Sequence, residues 1–338
     1  MLKVLVVSEN HYGALGWSCA HWLDRLGCRV EAFDYISPFI QFQTFGNGRR
    51  IMRRLVQRPM NAMLAWKARQ FQPDLIFITK GETIYYETLC EIKEATSALL
   101  FNWYPDSPFN MVNSSEDVIR SIPLYDCFFI WGKSLINRLY ENGAQHVEYL
   151  PFGYDPDLFH PVPTTSEECA RFAADLCFAG TWERPREEIL TQIADLDLLV
   201  WGNMWKNVPL SSPLRKRLKF RAVYGEALSK IFGSSKIILN FIRAQNGDAN
   251  NFRTFEVTGF GGFLLTTRTS EQCELFEEDR EIVCYSDVNE LRDKICYYLA
   301  HGDQRGKIAE AGHVRAEREH QLIHRLQIVV DRAIALRG

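Results

Sequence analysis

Apolar runs of strand length alternate with helix-period patterns along nearly the whole chain. In the first half Val4–Val7, Leu75–Ile78, Leu99–Trp103 and Phe128–Trp131 read as strands covered on both faces. Between them Trp17–Leu26, Met60–Phe71, Tyr86–Ala95 and Ser134–Glu141 carry the three- and four-residue spacing of helices. The texture changes at Val147–Pro156, where Pro151, Gly153 and Pro156 are followed by Pro161 and Pro163. That density of helix and strand breakers predicts an interdomain linker over residues 151–168. Alternation then restarts, with Leu176–Ala179, Leu198–Trp201, Ile237–Phe241, Phe263–Thr266 and Ile282–Tyr285 as strands. Glu187–Ile193, Gly225–Phe232, Phe252–Thr258 and Leu291–Ala300 are the helices between and after them. Strand–helix alternation of this kind predicts an α/β fold with two doubly wound parallel sheets. The expected domains are residues 1–150 and 169–320, with a last helix in 321–338. Ligands of such sheets bind beyond the carboxyl ends of the strands, so both domains are expected to face a central cleft.

Composition narrows the function. A net charge of −3 gives no reason to expect nucleic acid as the main partner. Nine cysteines, an odd number scattered without a paired framework and mostly in apolar segments, predict reduced thiols and a cytoplasmic location. Met1 leads almost directly into the first strand with no signal-peptide pattern, and no apolar run is long enough to span a bilayer. Membrane contact is expected to be peripheral at most. The one stretch that bears on it sets Arg49, Arg50, Arg53, Arg54 and Arg58 around Ile51, Met52, Leu55 and Val56, which fits either an anionic surface or a solvated helix.

The richest chemistry lies between Asn250 and Arg268. A short helix there ends at Gly261-Gly262 and runs into the buried strand Phe263-Leu264-Leu265. Arg253 and Glu256 stand three apart and project together. The polar loop from Arg243 to Ala249 precedes them, so backbone amides at Asn251 and the helix start suit a phosphate, with Glu256 one turn in for sugar hydroxyls. An ion pair on a solvated helix is the plainer alternative. A second group follows the strand Leu176–Ala179. After Gly180, Pro185 suits a first helical turn, and Arg184 and Arg186 flank that helix start, where they can neutralise a diphosphate or simply pair with Glu187 and Glu188.

In the first half, Asn10 to Gly16 follow the first strand. Gly13 and Gly16 allow close approach to an anion or sugar, and His11 offers a base or a sugar contact. Asp106 sits between Pro105 and Pro108 beside Trp103 and Tyr104, as a base or as a turn-capping aspartate. His320 and His324, four apart on an expected helix, have no third ligand in view, so no metal site is expected. No hydrolytic triad or Walker loop is present.

These residues resemble the CgeB-like, group-1 type glycosyltransferases. The resemblance is carried by Leu176–Gly180, Val200–Asn203, Tyr224–Glu226, Ile238–Asn240, Phe252–Glu256, Gly261–Leu265 and Ile308–His313. The Arg-x-Phe-Glu and Gly-Gly-Phe core is its most specific part, and Tyr149–Asp155 looks like the crossing segment. The resemblance implies a GT-B fold of two Rossmann-like domains, with the acceptor held by the amino-terminal one and a nucleotide sugar such as a UDP- or dTDP-sugar by the other. It implies hexosyltransferase-type chemistry, no cofactor and no required metal. Glu256 falls where such enzymes hold the donor ribose. Asp248 replaces the glutamate that retaining relatives carry eight positions earlier. The lysine that joins arginine on the donor phosphates has no counterpart near Arg184 and Arg186, which shifts phosphate contacts to Arg253. The last helix is implied to cross back onto the first domain.

The expected activity is therefore sugar transfer to an acceptor hydroxyl on a glycan, a lipid-linked compound or a small molecule. Asp106 or His11 takes the proton if the enzyme inverts, and Asp248 orients the sugar if it retains. A nucleotide-sugar epimerase, a glycosyl phosphorylase and a non-catalytic surface or spore-associated sugar-nucleotide binder are the alternatives.

Overall fold

The computed structural model describes residues 1–37, 49–243 and 247–338. The chain divides into two compact units, residues 1–151 with 322–338 and residues 152–321.

In the first unit six strands form one parallel sheet. They are β1 (Lys3–Ser8), β2 (Arg29–Asp34), β3 (Leu75–Thr79), β4 (Leu99–Tyr104), β5 (Cys127–Ile130) and β6 (Val147–Tyr149). Their order is β2-β1-β3-β4-β5-β6, so the sheet grows outward in both directions from the β1–β3 pair. Every residue of β3 and β5 is buried. Removing each such large apolar side chain from water contributes about 1.5–3 kcal/mol. Helices α1 (Leu15–Arg25), α2 (Arg49–Phe71), α3 (Tyr86–Ala95), α4 (Glu116–Ser121) and α5 (Ile136–Glu141) connect the strands.

The second unit repeats the plan with β7 (Ala174–Ala179), β8 (Leu198–Trp201), β9 (Ser235–Asn240), β10 (Leu264–Thr267) and β11 (Val283–Tyr285). All pairs are parallel in the order β11-β10-β9-β7-β8, which puts the reversal between β7 and β9. Its helices are α6 (Ser166–Phe172), α7 (Arg184–Gln192), α8 (Gly225–Gly233), α9 (Phe252–Phe260), α10 (Ser270–Leu275), α11 (Val288–Ala300) and α12 (Gly302–Glu319). The last helix, α13 (Leu322–Arg337), packs on α1 in the first unit. Arg325 Nε donates to the Pro151 carbonyl at 3.0 Å, and Arg337 pairs with Asp74 at 2.7 Å.

Several elements depart from the sequence pattern. Helix α2 begins at Arg49, well before Met60, and runs through Pro59. Strand β2 mixes Arg29, Glu31 and Asp34 with its apolar residues, and β6 is three half-buried residues, so neither shows a continuous apolar run. Helix α6 starts at Ser166, inside the stretch read as linker. His320 and His324 do not share a helix. His320 ends α12, where its Nε2 meets the Leu275 carbonyl at 3.0 Å, while His324 belongs to α13.

Two expected outcomes arise from this packing. A Cβ at Gly259 on α9 would overlap the buried Tyr154 ring, so Gly259→Ala overpacks the contact and costs about 1–3 kcal/mol, read as a lower Tm. Separately, Arg268 donates to both Glu278 and Glu290, and Lys294 joins them at 3.1 Å from Glu290. Arg268 holds the Glu290 carboxyl at about 2, below its ordinary 4.5. A depressed carboxylate stabilises the fold above pH 4.5, and that contribution is lost as the pH falls toward 2. Arg268→Ala should flatten the decline in Tm across that window; an unchanged acid limb would show that the cluster carries none of it.

Candidate functional sites at the two switch points

Ligands of doubly wound sheets sit beyond the carboxyl ends of the strands where the strand order reverses. In the second unit that point lies after β7 and β9. Arg253, the second residue of α9, donates to the Ala179 carbonyl at the end of β7 at 3.2 Å and to Glu256 Oε2 at 2.5 Å. Its guanidinium also lies over the Phe232 ring, 5.2 Å from the centroid. The pair is mostly shielded from solvent, which separates it from an ordinary surface i,i+3 bridge. The helix carrying it is fixed at both ends. Asn251 accepts from the Thr254 amide at 3.2 Å as N-cap, and Gly261, at φ +89°, closes the carboxyl end. There the Gly262 amide bonds the Val257 carbonyl and the Gly261 amide the Thr258 carbonyl, a geometry that favours glycine at the left-handed position. A buried polar network of Asn240, Asn251, Thr254, Thr266 and Gln272 ties this helix to β9, β10 and α10.

Around the same point Gly180 opens the turn after β7, and Pro185 lies in the first turn of α7. The two arginines there part ways. Arg184 is 83% exposed and bonds Glu188 at 3.0 Å. Arg186 is only 11% exposed and folds inward, donating to the Thr181 carbonyl at 2.8 Å and the Phe241 carbonyl at 3.4 Å over the Phe178 ring. It therefore cross-braces the loops after β7 and β9. Burial pulls its pKa down to about 10; Glu183 opposes that, and Arg243 and Arg253 add to it. Glu183 meets Arg243 at 2.8 Å and Arg186 at 3.5 Å. The result is a concentration of guanidinium charge from Arg186, Arg243 and Arg253 partly balanced by Glu183 and Glu256, suited to a polyanion. Of the polar loop before α9, Ala244, Gln245 and Asn246 lie outside the described residues. Asp248 accepts from the Ser270 amide at 2.7 Å and from the Ser270 hydroxyl, and those bonds lower its pKa.

In the first unit the switch point lies after β1 and β3. Gly13, at φ +86°, turns the loop, and Gly16 packs so tightly on Ser8 and Glu9 that a side chain there would overlap them. The Asn10 amide is anchored to Asp34 at 3.1 Å. His11 is exposed, with Nδ1 3.3 Å from the Glu9 carboxylate, and Tyr12, 68% exposed, meets Trp17 edge to face. Asp106 follows β4, and its Oδ2 stands 3.2 Å from the Lys80 ammonium, which also reaches Glu82 at 3.8 Å.

Lys80 and Glu82 escape the sequence pattern, although both directly follow strand β3, as Asp106 follows β4. Lys80 has a left-handed backbone, φ +65°, unusual for a residue with a side chain. Buried neighbours hold it there: the Tyr35 hydroxyl donates to the Thr79 carbonyl at 2.9 Å and accepts from the Gly81 amide at 2.8 Å, while Asn102 donates to the Lys80 carbonyl. Strain maintained by a buried polar frame is a mark of functional positions. The sequence pattern singles out neither Glu183, the N-cap residue of α7, nor Arg243, at the start of the polar loop before α9.

Residues 184–331 match the family model described as glycosyl transferase-like. Over this span the chain is similar to that glycosyltransferase family. It is 22% identical over 264 residues, 73% of this chain and 78% of the relative, to spore protein CgeB of Bacillus subtilis strain 168. Among solved structures it resembles sucrose-phosphate synthase of Thermosynechococcus elongatus, with a TM-score of 0.70, 12% identity and 99% of both chains covered. It also resembles Anabaena Alr3699/HepE, solved with UDP and glucose, with a TM-score of 0.67, 12% identity, and 99% of this chain and 100% of that one covered. The likeness to these solved structures gives the chain a GT-B fold, as the family resemblance implied. No described helix is long and apolar enough to cross a membrane.

Proposed function

We propose that this glycosyltransferase moves a hexose from a nucleoside diphosphate sugar, such as a UDP- or dTDP-sugar, to an acceptor hydroxyl, in the cytoplasm and without a bound metal. The observation that carries the reading is the Arg253–Glu256 pair at the β7–β9 switch point with Arg243 and Arg186 around it. A carboxylate among guanidiniums matches a ligand that carries a diol beside a diphosphate. Glu256 accepts from the donor ribose hydroxyls. Arg253 and Arg243 meet the diphosphate, and Arg186 sets the two loops rather than touching the ligand. Likeness to a protein solved with UDP and glucose supports this choice of donor.

In the reaction the bond between the anomeric carbon and the phosphate oxygen breaks, and its electron pair stays on the diphosphate, where the arginines stabilise the added charge. The acceptor oxygen bonds the anomeric carbon and gives its proton to Asp106, held by Lys80, in an inverting course. Asp248 steadies the loop that leads into the donor helix.

The test is thermal unfolding with UDP-glucose, UDP-N-acetylglucosamine and dTDP-glucose. A bound donor at about 100 times its Kd adds about 2.7 kcal/mol. No stabilisation by any nucleotide sugar would overturn the reading. Products from donor alone, compared with donor plus acceptor, separate transfer from epimerisation or phosphorolysis.

A further inference from the structure

Helix α2 carries an outward face unlike that of an ordinary surface helix. Its inner face is conventional, with Met60, Leu64, Ala65, Ala68 and Phe71 buried. The opposite stripe is Arg58, Ala62, Met63, Trp66 and Arg69, all exposed at helical spacing. Met63 is 60% and Trp66 59% exposed, so two large apolar side chains occupy positions where a solvated helix places polar ones. The charge on this helix is one-sided. Arg49, Arg50, Arg53, Arg54, Arg58, Lys67 and Arg69 stand in it with no aspartate or glutamate, so no basic residue has a carboxylate at i±3 or i±4. Among the described residues, neighbouring elements answer the far end, where Lys67 meets Glu31 at 2.9 Å and Arg69 meets Glu91. The side chains of residues 49–55 lie outside the described residues, so the outward face is taken from Arg58 onward.

We propose that α2 lies on an anionic phospholipid surface, with Met63 and Trp66 entering the headgroup boundary and Arg58 beside them meeting a lipid phosphate. The combination selects this occupant. A polyanion such as nucleic acid would use the charge but leave a methionine and a tryptophan in water. A neutral protein partner would use the apolar pair but leave Arg58 without counter-charge. A bilayer interface with acidic headgroups takes both, and an indole ring is well suited to that depth. The mode is adsorption, since no described helix crosses the membrane. It is independent of the donor-site reading.

The test is co-sedimentation of the full chain with vesicles of phosphatidylglycerol and phosphatidylcholine, and with vesicles of phosphatidylcholine alone, at low and high salt. The expected result is binding to the anionic vesicles only, most of it released by high salt as charges are screened. The double substitution Met63→Ser with Trp66→Ser should weaken binding about tenfold by removing apolar burial, with Tm unchanged because both side chains are exposed. Arg58→Glu should weaken it independently and reduce the salt dependence. Absence of binding to anionic vesicles at low salt, equal binding to neutral ones, or wild-type binding by the double variant would each overturn the proposal. Retention by nucleic acid with no vesicle binding would do the same.

Discussion

Glu256→Ala removes the stabilisation that a UDP-sugar confers on the protein while the unliganded fold survives. Glu256 sits on the helix that Asn251 caps and Gly261 closes, and neither end depends on its carboxylate. That carboxylate accepts from Arg253, which keeps the Ala179 carbonyl and the Phe232 ring when its acceptor is gone. Loss of the pair therefore costs the free protein little. The bound state loses more. Hydrogen bonds to a charged acceptor contribute about 1.5–3 kcal/mol each, so a donor that loses one to Glu256 binds roughly 10- to 150-fold more weakly. Arg253→Ala acts in the same direction through the diphosphate. Because the two side chains touch, the double variant should lose less than the sum of the single losses. If the pair only joins α9 to the end of β7, the pattern reverses: Tm of the unliganded variants falls and the response to nucleotide sugar remains. That outcome would remove the donor assignment and leave the fold assignment standing.

The architecture was legible because fully buried parallel strands appear as uninterrupted apolar runs. β1, β3, β4, β7, β8, β9 and β10 all announce themselves this way, as does the Gly261-Gly262 stop after α9. What was hidden is local in a different sense. The edge strand β2 is partly exposed and so reads as polar, and the expected helix Met60–Phe71 is only the second half of α2, which continues through Pro59. For the site, the sequence picks out Arg253 and Glu256 because a helical period of three brings them together. It does not show what separates Arg184 from Arg186. Both flank a helix start, yet one faces solvent and the other spends its donors on the carbonyls of Thr181 and Phe241, which are far apart in the chain. Only the pairing of β7 with β9 makes those carbonyls neighbours. Lys80 was hidden for a similar reason. Its setting depends on Tyr35 and Asn102, which reach it through the sheet, and no spacing rule in the chain connects the three.

Asp106→Asn should lower turnover by about 10²–10⁴-fold, the ordinary contribution of a positioned general base, and leave the donor-induced rise in Tm unchanged. The substitution keeps the shape of the side chain but removes the charge that accepts the proton. Its ion pair with Lys80 fixes where that charge stands. The ammonium is shared, with Glu82 at 3.8 Å on its other side and the Tyr35 hydroxyl 3.0 Å from Glu82 on the buried side. When Asp106 takes up a proton, Lys80 keeps a carboxylate partner in Glu82, so the ammonium is not left uncompensated. Lys80→Met should therefore slow turnover as well, by less than Asp106→Asn, and Lys80→Arg should restore part of the rate because a cation returns to the same strained position. Release of UDP as the sugar passes to water or to an acceptor, followed at saturating donor, gives the comparison directly. Wild-type turnover in Asp106→Asn would assign the proton elsewhere, with His11 on the loop after β1 the next residue to replace. A lower Tm of unliganded Lys80→Met with turnover unchanged would instead show that the charge cluster holds the fold rather than the chemistry.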